Sequence, residues 1–410
     1  MHAERSSSPL SFAWLVVLIL WPVALLNYLD RQMMASTRPS MAREIYELGL
    51  DRDWGFVLGS FKWVYALLSP FGGWIADRVS RRSVICASLF VWSAVTWATG
   101  HVETYQQLVV TRALMGISEA FYFPAALALI ADYHRGPTRS RAVGLHQSAI
   151  ALGAILGGFA GYVSQHPDLG WRFAFAACGM VGVGYAVFLF AVLRDPEIPP
   201  TGKESSSIGA LLGNVQYLML VGYFTLPAIA GWVVRDWMPA ILGKKFELDE
   251  GSAGFNGIFY VQIAALVGVG VGGALADRWT TANPRGRMFV SAIGVSLFLP
   301  ALVGVGVTGS LWMGIGFLIL FGLGWGFFDC NNMPILCQIV RPELRATGYG
   351  FMNLVSISIG GFADWGFGAL RQNGVPLGLI FGVMAGISLL SVGLVLSIRP
   401  NDQTKTETTE

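Results

Sequence analysis

Gly72-Gly73-Trp74-Ile75-Ala76-Asp77-Arg78 recurs as Gly272-Gly273-Ala274-Leu275-Ala276-Asp277-Arg278, a shift of 200 residues (272 − 72) in a chain of 410. Each copy closes a long apolar run. Apolar segments that end in the same punctuation half a chain apart mark a duplicated helical bundle, and their apolarity puts the bundle in a membrane. Two further echoes follow in the same order. Arg141-Ala142-Val143-Gly144 matches Arg345-Ala346-Thr347-Gly348, and Glu119 and Pro124 match Asp329 and Pro334 at a shift of 210 (329 − 119). The sliding shift implies loops of unequal length, which a duplication tolerates.

Composition agrees. Hydrophobic residues make up 54% of the chain and charged residues 13%, against about 25% charged in soluble domains. The deficit runs over nearly the whole length, which argues against a soluble catalytic domain or a signalling domain. The run from Phe12 to Leu29 is long for a signal-peptide core and has no small-residue cleavage site behind it, so it reads as a retained first helix. The net charge of +2 points to no nucleic-acid partner. Cys86, Cys178, Cys330 and Cys337 lie in apolar stretches without metal-site or disulfide spacing. No cofactor is expected.

A spanning helix needs roughly 20 apolar residues, and twelve candidates emerge. They cover 12–36, 54–77, 82–101, 105–132, 139–164 and 171–193, then 211–242, 252–277, 287–308, 310–338, 343–370 and 375–398. The expected fold is all-α: two pseudo-symmetric six-helix bundles, 1–193 and 211–400, joined by a Pro- and Ser-rich linker at 194–210 and followed by a polar tail at 401–410. Arg78, Arg81, Arg82, Arg135, Arg139, Arg141, Arg194, Lys203, Arg278, Arg285, Arg287, Arg341, Arg345 and Arg399 fall in alternate connections. The positive-inside rule then predicts a multi-pass protein of the cell (inner) membrane with both termini cytoplasmic. Glycine runs at 153–158 and 268–273 suit close helix approach, either as ordinary packing or as a surface along which bundles rock.

An ionisable side chain at mid-membrane costs about 2.5–3.5 kcal/mol on the insertion scale, so each needs a reason. Asp30 and Arg31 lie near the end of the first run. Arg112 and Glu119 are two turns apart on one face of the fourth helix, about 10 Å along the axis, so each requires a partner from elsewhere. Asp30 is the expected partner of Arg112, which leaves Glu119 in apolar surroundings. A carboxylate able to exchange a proton at membrane depth is what proton coupling requires; a static charge network is the competing reading. Lys62 reads as snorkelling to an interface or attracting anions, Tyr65 as a substrate hydrogen-bonder or a packing residue. Gln147 can face a cavity, and its neighbour His146 can lie at the surface. In the second half, Gln262, Trp325, Asp329, Asn331, Asn332 and Asn353 are candidate cavity residues. Arg235 and Asp236 read as structural or as an outer gate, and Asp364 as pairing locally. Asp77 is placed to cap a neighbouring helix or to pair with Arg135, Arg139 or Arg141.

The Gly-x-x-x-Asp-Arg loops, with Arg81-Arg82 behind the first, resemble the loop signature of the major facilitator superfamily over essentially the whole chain. Asn27-Tyr28-Leu29-Asp30-Arg31, Trp92 to Thr96 and Gly116-Ile117-Ser118-Glu119-Ala120 resemble spinster-type transporters. Asn27 to Arg31 again, Phe61-Lys62-Trp63-Val64-Tyr65-Ala66, Glu119 with Phe123-Pro124-Ala125, Gly170-Trp171-Arg172 and Trp237 to Leu242 resemble the anion:cation symporters of sugar acids and organic anions, which are favoured. That resemblance implies proton sites at Asp30 and Glu119, tuned by Arg112, and an anion held by Arg31. It also implies gating by Gly73, Asp77, Arg78 and, more weakly, Asp277. Ser80 stands where the superfamily usually has Gly, and the second loop has Trp279-Thr280 in place of the basic pair. The expected protein is a monomeric, proton-coupled (or sodium-coupled) transporter of a small organic anion. The substrate-facing residues would be Arg31, Tyr65, Gln147, Trp325, Asp329, Asn331, Asn332 and Asn353. A spinster-like lipid or lysolipid transporter is the alternative; no enzyme motif stands out.

Overall fold

Polar residues start several of the helices by satisfying backbone N–H groups that no helix can satisfy internally. In the computed structural model, which describes residues 10–76, 78–134, 138–195, 208–341 and 344–400, Ser80 Oγ accepts from Ser83 N at 3.1 Å. Thr104 and Gln107 form a reciprocal capping box. Asn214 Oδ1 accepts from Gln216 N at 3.0 Å, and Asp249 Oδ1 from Ser252 N at 3.0 Å. The bonds from Ser252 hold the exposed Asp249 carboxyl below its usual range.

Twelve spanning helices result. The first half comprises α1 (Leu10–Ser36), α2 (Asp51–Ala76), α3 (Arg81–Thr99), α4 (Tyr105–Glu119 and Tyr122–Tyr133), α5 (Arg139–Gly158 and Ala160–Ser164) and α6 (Gly170–Val192). The second comprises α7 (Val215–Phe246), α8 (Glu250–Ala282), α9 (Gly286–Ser296 and Phe298–Val307), α10 (Leu311–Ile339), α11 (Arg345–Gln372) and α12 (Leu377–Ser397). Among the described residues nine helices are long and apolar enough to cross a membrane by that criterion alone. The other three are α2, α3 and α11. The linker from 196 to 207 and the tail from 401 to 410 lie outside the described residues.

The expected continuous fourth and ninth spans are each broken once. Pro124 and Pro300 have no N–H to give to the carbonyl four residues back, so each sits in the first turn of a new segment after the break. Glu119 thus ends the first segment of α4 instead of lying inside a regular helix.

The two halves touch at one end and part toward the other. The length of α2 shows this. Gly55, Gly59 and Trp63 lie against α11, where a Cβ on Gly55 would stand 2.4 Å from the Asp364 carbonyl oxygen and one on Gly361 would stand 2.6 Å from the Trp63 indole nitrogen. Leu67 and Phe71, farther along α2, are 66% and 56% exposed. The same pattern recurs in α5: Gly158 meets Gly254 of α8, whereas Gly144 faces open space. The closed end carries Glu44, Asp51 and Glu250; the open end carries Arg78, Arg81, Asp277 and Arg287. Cross-half bonds seal the closed end. Glu250 Oε1 accepts from Ser40 N at 3.2 Å and from Ser164 Oγ at 3.1 Å, and Arg52 N donates to Gln372 Oε1 at 2.9 Å. An apolar cluster there joins Met41, Leu48 and Trp54 to Trp237, Met238 and Phe367. The contacts named at the basic end stay within a half: Arg81 with Asp132, and Arg287 with Asp277 at 2.5 Å.

The glycine runs divide between the two expected uses. Gly153 and Gly157 seat α5 on the α1 backbone, and Gly268 seats α8 on α10, all inside one half. Gly158 and Gly254 lie between halves. A Cβ on Gly254 would stand 2.3 Å from the Gly158 carbonyl oxygen and 3.0 Å from Ser36 Cβ. Gly254→Val is therefore expected to hold this end open. A lone cysteine at Ser36, in a cysteine-free background, should then be alkylated by an impermeant maleimide much faster than with Gly254 intact. An unchanged rate would show that the seal tolerates a side chain there.

Candidate transport site

Where the halves begin to part, α1, α2 and α4 bring two arginines and two carboxylates together. Arg31 Nε donates to Glu119 Oε2 at 2.8 Å, and Arg31 Nη2 lies 2.6 Å from the same oxygen. The Glu119 side chain is fully buried and that of Arg31 is 12% exposed. Asp30, one residue and about 100° around the helix from Arg31, points instead to α3 and accepts from the Thr96 hydroxyl. This corrects two expectations. Glu119 is not isolated in apolar surroundings, because Arg31 is its partner. Asp30 does not form an ion pair with Arg112 among the described residues. Arg112 lies within electrostatic reach of Asp30, Glu119 and Asp236, but its Nη1 contacts Met115 Sδ at 3.0 Å. Because α1 presents consecutive residues to different neighbours, only one of them can meet α4.

Aromatic faces fill the space between the charges. The Arg31 guanidinium stands 5.0, 4.7 and 5.1 Å from the ring centres of Tyr28, Phe61 and Tyr65, and Arg112 stands 4.9 Å from the same Phe61 ring. Such contacts contribute about 0.5–2 kcal/mol each, more where water is excluded. Tyr65 is thus at the site, buried beside Arg31. Glu119 Oε1 and Asp30 Oδ1 have no hydrogen-bond partner among the described residues, so each carboxyl keeps one oxygen uncommitted.

The second half supplies the facing wall. Arg235 of α7 makes no ion pair among the described residues; its guanidinium lies 5.8 Å from the Tyr28 ring and 5.3 Å from the Trp232 ring. Asp329, exposed although deep within α10, lies in the electrostatic field of Arg235 with Asn332 beside it. Gln32, Arg235, Gln262, Phe321 and Trp325 line a crevice between the halves. Trp325 packs over Gly231, where any side chain would meet its ring. Asn353 neighbours Tyr349, and Gln147 is exposed beside the buried His146. Asn331 and Asn332 are fully buried, which corrects their placement as residues facing substrate; Asn331 donates back to the Phe327 carbonyl at 3.0 Å.

Other expectations change as well. Lys62 does not snorkel: it is 3% exposed and pairs with both Asp236 of α7 and Asp364 of α11. Asp364 accordingly pairs across the halves, not locally. His146 is buried, with its Nε2 2.9 Å from the Tyr122 hydroxyl. Of the residues expected to gate, Gly73 lies in α2 and Arg78 is exposed just beyond it. Asp277 pairs with Arg287 inside its own half. Asp77 lies outside the described residues. Sequence reasoning missed the site roles of Phe61, Tyr28 and Thr96. Each stands in a stretch that carries a family likeness, but ordinary aromatic and hydroxyl residues give no separate signal.

Two six-helix halves, sealed at one end and parted at the other around buried paired charges, define a membrane transporter. The chain belongs to the Major Facilitator Superfamily, whose family model matches residues 20–363. It is 28% identical over 379 residues to Protein spinster of Drosophila melanogaster, covering 87% of this chain and 61% of that one. It therefore spans less than two thirds of that relative's length. It is likewise 28% identical to Protein spinster homolog 1 of Homo sapiens, covering 84% of this chain and 70% of that one. Among solved structures, a bacterial homologue of the human lysosomal transporter spinster, in an inward-facing, unoccupied conformation, superposes with a TM-score of 0.74. That match has 20% identity and covers 94% of both chains. Of the two resemblances drawn from the sequence, these comparisons bear out the spinster likeness.

Proposed function

We propose that the protein is a proton-coupled, spinster-type transporter of an amphiphilic anion of lysolipid type, acting as a monomer by alternating access. The observation that carries this reading is the buried Arg31–Glu119 pair. Here Glu119 is the counter-ion of Arg31. A proton arriving on Glu119 removes that counter-ion and leaves Arg31 free to hold the anionic group of the substrate. Loss of the substrate lets the pair re-form and expels the proton. Asp30 and Arg112 set the local field, and Arg235 offers a second cation across the cavity. The aromatic walls, Phe61 and Tyr65 on one side and Phe321 and Trp325 on the other, suit an apolar tail better than a sugar. The spinster relatives support the same choice. The basic end is taken as cytoplasmic, so the arrangement is inward-open, with both termini cytoplasmic in the cell membrane.

The test uses purified protein in liposomes with an imposed pH gradient, offering a labelled anionic lysolipid or a labelled sugar acid. The lysolipid should accumulate and the sugar acid should not; the reverse result would favour a small organic anion. Glu119→Gln should reduce gradient-driven accumulation to the level of empty liposomes while preserving counterflow exchange. Normal accumulation by that variant would refute the role of Glu119, and accumulation driven by sodium alone would replace the coupling ion.

A further inference from the structure

The seal at the closed end contains more acid than base. Lys62 of α2 is shared between Asp236 of α7 and Asp364 of α11, and the three side chains are 3%, 11% and 0% exposed. The Lys62 ammonium lies 4.4 Å from the centre of the Trp232 ring, which excludes water from its remaining face. Asp364 Oδ1 has no hydrogen-bond partner among the described residues. The charged groups that look toward the cluster from the packed helices are Arg112 of α4, within reach of Asp236, and Arg235, next along α7. Arg235 turns to Tyr28 and Trp232. Arg112 also serves Asp30 and Glu119. The cluster itself sets two carboxylates, Asp236 and Asp364, against one ammonium, Lys62. A buried charge without a counter-charge is costly, and neutralisation by a proton is the cheapest remedy.

We propose that the Lys62–Asp236–Asp364 cluster takes up one proton whenever this end of the transporter closes, making the seal a proton site distinct from Glu119. The proton comes from the aqueous phase on that side and forms an O–H bond on one of the two aspartates; no other bond is made or broken. Closing brings two carboxylates onto one ammonium, and the proton removes their repulsion. Raising the pH on that side withdraws it and drives the seal apart, while lowering the pH favours closure. The direction fits uptake of a proton from outside before the cavity opens inward. The inference rests on the transporter reading above, but its test does not depend on transport.

The measurement is a distance distribution between spin labels at Asp53→Cys and Asn373→Cys, on the closed-end turns of α2 and α11, in a cysteine-free background. As the pH falls, the short-distance population should grow. In Asp364→Asn, whose amide needs no proton, the short distance should persist at every pH. Asp236→Asn should behave alike and serves if the first variant does not fold. Glu119→Gln should keep the wild-type pH response. Three results would overturn the proposal: no pH response in the parent, a parent-like response in both asparagine variants, or loss of the response in Glu119→Gln. A failure of proton-driven accumulation with the distance response intact would count against the transport scheme alone.

Discussion

Arg31→Ala is expected to be the most damaging single substitution in the central site. It leaves Glu119 buried without its directly bonded cation, and breaking a buried pair from one side typically costs about 3–5 kcal/mol. Removing both partners should cost far less, because the desolvated charge disappears with its cation. The thermal melt of Arg31→Ala in detergent should fall well below that of the parent, and Arg31→Ala/Glu119→Ala should recover most of the loss. Neither should accumulate substrate. If the single variant melts like the parent, or if the double variant is the sum of the two singles, the pair is not a coupled unit. Arg31→Lys should rescue the melt in part but not transport, since an ammonium cannot reproduce a planar guanidinium that donates through Nε to Glu119 Oε2 while lying against three aromatic rings.

The second large effect is expected from Lys62→Met. The thioether fills a similar volume, but Asp236 and Asp364 then face each other across the seal with no cation between them. The closed end should open, and the lone cysteine at Ser36 should become rapidly alkylated, as with Gly254→Val. Here, unlike the glycine variant, chemistry can restore the seal. Adding Asp236→Asn and Asp364→Asn should return alkylation to the parent rate. An alkylation rate in Lys62→Met equal to the parent's would show that the seal is held by its apolar packing alone, with the ion cluster incidental.

Much of the architecture was legible because membrane helices advertise themselves one at a time. Length, apolarity and the repeated Asp-Arg punctuation each act locally, and the lipid forbids most alternatives. The site was legible as a set of residues and not as a set of partners. Asp30, Arg31, Arg112 and Glu119 stood out because charge in an apolar run is conspicuous. Which of two adjacent side chains meets α4 depends on the rotation of α1 about its own axis, and no local pattern fixes that. Lys62 was misjudged for a related reason. A lysine twelve residues into a helix can reach an interface, and only the approach of α7 and α11 shows that it does not need to. Asn331 and Asn332 read as cavity residues because amides are unusual in lipid, yet the protein interior is an equally good refuge for them.

The uneven covering of α2 has a thermodynamic consequence. Gly55, Gly59 and Trp63 are covered by α11 while Leu67 and Phe71, farther along the helix, lie bare. If the opposite state covers the second pair and uncovers the first three, the apolar area hidden in the two states nearly cancels. Large hydrophobic terms then drop out of the difference, and what remains is of the order of a few kcal/mol, the range in which one ligand can shift a population. The helix works as a balance beam: with its two arms weighing almost the same, a single proton or one bound head group is enough to tip it.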